Sequence, residues 1–402
     1  MRAIKACILP NGKHSNLETG LMSVIYFEGG NLLPSGNKGD ELMLRVTAPK
    51  LRSMCPQFSQ AIAPGVAPFE KRCELGLRQL LWPKNPFRFS GNVGYYVLNR
   101  YRHQLGLVSE EDISAVVNFQ GYRYAEMGAV ETALDAKIAL ERAERGTKHI
   151  FLPQAYGPFD SEAVIRNARD LFRNADLIFA RDPFSKEFLT ETLDTPKEIR
   201  IYPDITIGTP GEGSEHTLPK DFAALVPNHW MLHRGSEKDQ NAYMDFLEQT
   251  IEVSSQQGLE IVILNHSPDL DTPIVKKLLA QEGRAKIQSI EETNALRLKG
   301  ILAQARFLIG SRYHAIVGAL SQNVPAIGTS WSKKYQGLYS DFGADQLLIQ
   351  PSRDAADIAQ LIKNITTGAE REQLVARLNE ANERMRKQLD EMWKIVGDTL
   401  AT

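Results

Sequence analysis

The chain has only three cysteines in 402 residues, Cys7, Cys55 and Cys73, odd in number, widely spaced and without a CxxC pair. Neither a disulfide framework nor a thiolate zinc site is indicated, and a reducing cytoplasm is the expected compartment. No stretch approaches the ~20 consecutive apolar residues that a membrane-spanning helix needs. The opening MRAIKACILPNGKHSN carries an apolar run far shorter than a signal-peptide core. An excess of either charge is missing too. With 47 Lys and Arg against 49 Asp and Glu, the net charge is -2, which argues against a general nucleic-acid binder, so any anion site must be local. No GxxxxGK[ST] run, no GxGxxG after the first strand and no GxSxG elbow occur, which weighs against NTPase, dinucleotide and hydrolase readings. His229, His233 and His266 follow strands without a carboxylate cluster at ligand spacing, so no metal and no cofactor are called for.

What is present is a soluble composition, 43% hydrophobic and 24% charged, in a chain too long for one ordinary core at ~150 residues per domain. Strands expected at 4–9, 23–28, 113–118, 149–152, 177–180 and 199–202 alternate with helices near 41–48, 132–145, 162–173 and 183–191. A second series at 223–226, 261–264, 286–288, 307–310, 324–328 and 346–349 repeats the scheme. Such alternation predicts an α/β fold: two doubly wound, Rossmann-like domains with parallel sheets facing across a cleft, GT-B-like. The expected division is residues 1–212, carrying an insertion at about 51–110, then 213–367. The Gly- and Pro-rich GTPGEGSEHTLPKD (208–221) links them. The insertion holds five prolines and the aromatic, basic stretch LLWPKNPFRFSGNVGYYVLNRYRHQLG, read as packed and as a candidate acceptor-side lid. In residues 368–402, Leu374, Leu378, Ala381, Met385, Leu389, Met392 and Val396 recur at three- and four-residue spacing, which predicts an amphipathic helix packed on the body.

Residues 307–338, FLIGSRYHAIVGALSQNVPAIGTSWSKKYQGL, organise the chemistry. Ser311, Arg312 and His314 follow a buried strand, at the carboxyl edge where open α/β sheets bind ligands, and the next helix start favours an anion. Lys334 follows the next strand. A planar guanidinium, a titratable imidazole and an ammonium together suit a small, multiply charged anion that also needs a proton moved. Arg181, in ARDPFS, offers a second arginine at a strand end of the other half; pairing with Asp182 is its structural alternative. Asn37 and Asp40 lie in GNKGDE, where capping of a helix and contact with substrate are both open. Gln154 and Asp204 sit at strand ends where loop fixing and ligand contact are equally open.

SRYH, then NVPAIG and a lysine six residues past Gly328, resemble the C-terminal signature of the polysaccharide pyruvyl transferase family. GNKGDE, PQAYGPF (153–159), ADLIFARDPFS (175–185) and YPD (202–204) resemble its other landmarks, in the same order. Of the adjacent Lys333 and Lys334, the second matches the family's lysine. The resemblance implies transfer of pyruvate from phosphoenolpyruvate onto a sugar as a cyclic ketal, with phosphate released, in cell-surface or exopolysaccharide biosynthesis. It implies a donor held on the side of residues 213–367 by Arg181, Arg312 and Lys334, with His314 as the acid or the group that protonates phosphate, and an acceptor on the side of residues 1–212; the acceptor base is left unassigned, with Asp40, His229 and His266 open. The partners it implies are phosphoenolpyruvate and a saccharide, lipid-linked or nucleotide-linked, met in the cytoplasm or at the inner face of the membrane. A GT-B glycosyltransferase using a nucleotide sugar and a saccharide-binding module are the alternatives.

Overall fold

The structure, a computed structural model, describes residues 23–81, 98–193, 198–233, 236–280, 286–330, 334–351 and 354–402. Its backbone forms two sheets in which every pairing is parallel. The first has eight strands in the order β4-β3-β2-β1-β5-β6-β7-β8: β1 Val24–Glu28, β2 Ser59–Ile62, β3 Arg78–Leu80, β4 Leu107–Val108, β5 Ile113–Asn118, β6 Lys148–Gln154, β7 Leu177–Ala180 and β8 Arg200–Ile201. The second has five, β11-β10-β9-β12-β13: β9 Phe222–Val226, β10 Glu260–Leu264, β11 Ile287–Ile290, β12 Phe307–Gly310 and β13 Ala326–Gly328. In each sheet the strand order reverses once, between β1 and β5 and between β9 and β12. Those crevices are where doubly wound sheets take ligands.

The central strands are continuous runs of buried Val, Ile, Leu and Ala, as expected of strands covered on both faces. β6 continues through Pro153. Proline has no N–H to give, and the ladder to β7 is irregular between Phe151 and Gln154, which lets residues 154–159 leave the sheet. At the end of β1, Gly29 and Gly30 adopt φ of 128° and 83°, and a Cβ on Gly30 would stand 2.8 Å from that of Leu44. Tight packing of the first helix against the strand end explains that glycine pair.

Three expectations are revised. Residues 51–110 supply β2, β3 and β4 and the short helix Phe69–Glu74, so their described part extends the first sheet instead of forming an insertion. β2 (SQAI) and β3 (RQL) carry polar residues where a buried strand would show an unbroken apolar run, and β4 has two residues, which is why the pattern was hidden. Most of the aromatic, basic stretch lies outside the described residues, as does the strand expected at 4–9. The strand expected at 346–349 is a 3-10 turn, Asp345–Leu347, followed by one parallel bridge from Leu348 to Gly328. The helix expected at 41–48 runs from Lys38 to Met54, through Pro49, because Leu51 beyond the proline is fully buried.

Helix Gly368–Ala401 buries Leu374, Leu378, Ala381, Met385, Leu389, Met392, Val396 and Leu400. Its first half meets the second sheet's loops, where Asn382 Nδ2 donates to Leu320 O at 2.9 Å. Its second half reaches the first sheet, where Glu391 accepts from Tyr202 OH at 2.9 Å and Thr399 O accepts from Lys148 Nζ at 2.6 Å. One apolar cluster runs through both sheets and this helix. Between the sheets, the segment after Thr206 is tied down: Lys299 Nζ donates to Thr206 O at 2.7 Å and Thr209 O at 2.6 Å. Among the described residues no helix is long and apolar enough to cross a membrane.

Candidate active site

The carboxyl ends of the two sheets face one cavity of about 320 Å³. Asn37 and Asp40 enter from the helix after β1, Gln120 and Tyr122 from the loop after β5, and Arg181 from the end of β7. The second sheet contributes Asn228 after β9, His266 after β10, Arg312, Tyr313 and His314 after β12, and Lys334 after β13. Strand-end position is thus the common property of these side chains.

The turn carrying Arg312 is fixed from several directions. Asn228 Nδ2 and Tyr335 OH both donate to Ser311 O, at 2.7 and 2.9 Å, while Ser311 Oγ accepts from Tyr243 OH at 3.0 Å and lies 2.6 Å from Thr329 Oγ1. Arg312 is clamped in turn by Asp271, fully buried, which accepts from Nε at 2.9 Å and Nη2 at 2.5 Å. That bidentate pair fixes the guanidinium plane and commits one edge, so Nη1 is the end outside the pair.

Arg181 is buried, lies 4.0 Å from the Tyr313 ring centre and donates from Nη1 to Asp204 Oδ2 at 3.1 Å. Asp182 does not pair with it: both Asp182 oxygens hold Ser185, at the start of helix Pro183–Thr192. Asp204 Oδ2 also stands 3.4 Å from His314 Nε2, an ion-pair distance too long for a strong hydrogen bond. Its Oδ1 accepts from Thr206 N and Oγ1 at 2.9 and 2.6 Å. Burial opposes ionisation of Asp204, but the charges of His314 and Arg181 and the Thr206 bonds outweigh it and hold the carboxyl well below the usual range.

The other imidazole nitrogen, His314 Nδ1, lies over Gly39, where a Cβ would come within 2.2 Å of it. The glycine of GNKGDE is therefore a seat for the imidazole across the cleft. Asn37 caps the helix by accepting from Gly39 N at 3.0 Å. Asp40, one residue on, has its carboxyl pushed up by burial, against the opposing pull of His314, Asn37, Arg312 and Lys334. Lys334 opens helix Lys334–Asp341 with its ammonium 4.6 Å from the Tyr122 ring centre.

Not every expected residue lines the cavity. Gln154 is fully buried and donates to Asn118 Oδ1 at 3.0 Å, tying the ends of β5 and β6 together. Asp204 stands behind Arg181 and His314. His229 is turned away: its backbone N–H goes to Asp271 Oδ1 at 2.9 Å and its ring stacks on His233 at 3.6 Å. His266 does line the cavity, but burial, then the charges of Arg312 and His314, push its imidazole well below 6.5 and keep it neutral. Lys333 lies outside the described residues. Asp271, Tyr313 and Tyr122 were not anticipated. Asp271 opens a helix 41 residues before Arg312, a separation no local pattern reveals. Three buried nitrogens around this site, Arg181 Nε, His266 Nδ1 and His314 Nε2, have no hydrogen-bond partner among the described residues. Among the described residues no group of three or more His, Cys, Asp and Glu could hold a metal ion.

Residues 128–333, 206 of the chain's 402, match the family model described as polysaccharide pyruvyl transferase. No protein of curated function matches the sequence. Among solved structures, HepE of Anabaena in complex with UDP-glucose is similar with a TM-score of 0.55 at 12% identity, covering 94% of this chain and 99% of that one. A glycosyltransferase of Rickettsia africae is similar with a TM-score of 0.53 at 12% identity, covering 94% and 98%. The UDP-GlcNAc 2-epimerase of Neisseria meningitidis, solved with UDP-GlcNAc, is similar with a TM-score of 0.53 at 10% identity, covering 92% and 100%. At such identities the likeness shows the fold alone: an α/β chain of two Rossmann-like halves, GT-B-like.

Proposed function

The chain belongs to the polysaccharide pyruvyl transferase family, and from that membership we propose that it transfers pyruvate from phosphoenolpyruvate onto a sugar as a cyclic ketal, releasing phosphate. The observation that carries this reading is that Arg181, Arg312, His314 and Lys334 converge on one cavity from both sheets, with the buried Arg181 Nε left unsatisfied. A buried guanidinium N–H without a partner at a cavity wall is what an anionic ligand would satisfy.

Phosphoenolpyruvate presents a carboxylate and a phosphate to these groups, and each charge-assisted contact would contribute roughly 1.5–3 kcal/mol. Asp204 and Asp271 hold the guanidinium groups in place before the donor arrives, which reduces the ordering cost of binding. In the proposed chemistry His314, supported by Asp204, gives a proton to C3 of the donor. C2 becomes an oxocarbenium-like centre and a sugar hydroxyl bonds to it, losing its own proton to a base. Phosphate then departs from C2 with the C–O electron pair, and a neighbouring hydroxyl bonds to the oxocarbenium carbon this leaves, closing the ring and giving its proton to His314, which restores the acid. Asp40 is our choice of base: it lines the cavity beside His314, and burial pushes its carboxyl up. His229 faces away. The acceptor would be met in the cytoplasm, free or at the membrane face.

The solved relatives that hold UDP-sugars make nucleotide-sugar donation the competing reading. Incubation with phosphoenolpyruvate, UDP-glucose and a mixture of methyl glycosides, followed by phosphorus and proton NMR, separates them. Orthophosphate and a new ketal methyl signal, both lost in His314→Gln, are expected. UDP formed while phosphoenolpyruvate stays intact would refute the proposal.

A further inference from the structure

A second cavity, of about 440 Å³, adjoins the first, and the two share Tyr122, Met127 and Lys334 as lining residues. Its chemistry is different. Tyr156, Phe184, Phe188 and Pro158 give it aromatic and apolar walls, and among the described residues Lys334 lines it but no arginine or histidine does. Glu126 and Asp182 are its acidic residues. Glu126 accepts from the backbone N–H groups of Asp160 and Ser161 at 2.9 and 3.0 Å, and these bonds, with the Ser161 side chain, hold its carboxyl below the ordinary value. Two carboxylates against the one lysine it shares with the first cavity leave it without the excess of positive charge that an anion would need.

Phe184 is the telling residue. Helix Pro183–Thr192 presents Phe188 and Phe184 one turn apart to this cavity. Phe188 packs against the first sheet's apolar cluster, but Phe184 is not part of that cluster and is half-buried. A large ring held in a cavity wall without a core to fill is placed for an occupant.

We propose that this second cavity is the acceptor subsite and that it takes an uncharged sugar ring, its C–H face against Phe184 and its hydroxyls toward Glu126 and Asp182. This rests on the first cavity being the donor site, since Lys334 and Tyr122 form the partition across which an acceptor hydroxyl must reach the donor carbon. Aromatic faces carry negative charge density that suits the slightly positive C–H groups of a pyranose, and carboxylates accept from hydroxyls while repelling acidic sugars.

Saturation-transfer NMR with methyl glycosides of glucose, galactose, mannose and N-acetylglucosamine, with methyl glucuronide as the charged control, tests the proposal on the full chain in the presence of phosphoenolpyruvate. At least one neutral glycoside is expected to receive saturation, the glucuronide at least about tenfold less. Phe184→Ala should weaken the neutral sugar by about tenfold or more while phosphoenolpyruvate affinity is unchanged, and Phe184→Tyr should retain it. Should Phe184→Ala fail to melt cooperatively, Phe184→Leu carries the same expectation. No saturation of any neutral glycoside, equal binding of the glucuronide, or binding indifferent to Phe184 would overturn the proposal. Sugar binding at Phe184 without any phosphoenolpyruvate binding would support this subsite and strike instead at the donor reading.

Discussion

Gly39 and His314 come from opposite sheets, 275 positions apart, and the missing Cβ of one makes room for the imidazole of the other. Gly39→Ala therefore tests the seat without touching the imidazole itself. Alanine favours a helix by up to ~1 kcal/mol over glycine, so helix Lys38–Met54 should not be weakened by propensity. The new methyl must displace His314, and a shift of about 1 Å in a reacting group can cost ~10² in rate. We expect kcat to fall by about that factor with cooperative unfolding retained; steady-state kinetics with a melting curve checks both. His314→Gln keeps a hydrogen-bonding side chain, so it should retain donor binding and lose ~10²–10⁴ in turnover. An unchanged maximal rate at saturating donor would remove His314 as the acid and turn attention to Lys334. At this scale the sequence was informative where a residue follows a strand: Arg181, Arg312, His314 and Lys334 reach one cavity for that reason. It was silent on Asp271, whose pairing depends on how the helix after β10 lies against the turn after β12, and on whether Gln154 points into the cavity or along the sheet end.

Among the elements, β6 carries a titratable group in its core. His149 is buried at 2% exposure with Nε2 lacking a hydrogen-bond partner among the described residues, and burial, then the charge of Arg142, lowers its pKa from 6.5 to about 4. The unfolded chain binds a proton at His149 between pH 6.5 and about 4 that the folded chain does not. Stability is therefore lost as pH falls through that window, by roughly 3 kcal/mol in all, and is fully present above 6.5. His149→Phe should flatten this part of the stability curve, which urea midpoints measured from pH 4 to 7 would show; an unaltered acid slope would contradict the assignment. Elements with a helical period or an unbroken apolar run were legible. Helix 162–173 and strands 113–118, 177–180 and 307–310 stand where the alternation put them. β2, β3, β4 and the Leu348 bridge were not, because they owe their pairing to neighbours in space and leave no such pattern in the sequence.

For the molecule as a whole, the two sheets meet around one core, and helix Gly368–Ala401 closes it by lying across both. Removing residues 388–402 would take away the buried Leu389, Met392, Trp393, Val396 and Leu400 and expose the apolar surface they cover. At about 2 kcal/mol for each large apolar side chain, that loss is roughly 10 kcal/mol, comparable to the net stability of an ordinary fold. The truncated chain is expected to lose cooperative thermal unfolding; a transition of unchanged midpoint would show that the helix is an accessory.

Arginines from both halves are proposed to grip one small, multiply charged donor. Isothermal titration of phosphoenolpyruvate, with UDP-glucose as the comparison ligand, into the wild type, Arg181→Ala and Arg312→Ala tests it without needing the acceptor. Saturable binding of phosphoenolpyruvate to the wild type, weakened about 10- to 100-fold by either substitution, is the predicted result. Heat from UDP-glucose with none from phosphoenolpyruvate, or phosphoenolpyruvate binding that ignores both arginines, would contradict it.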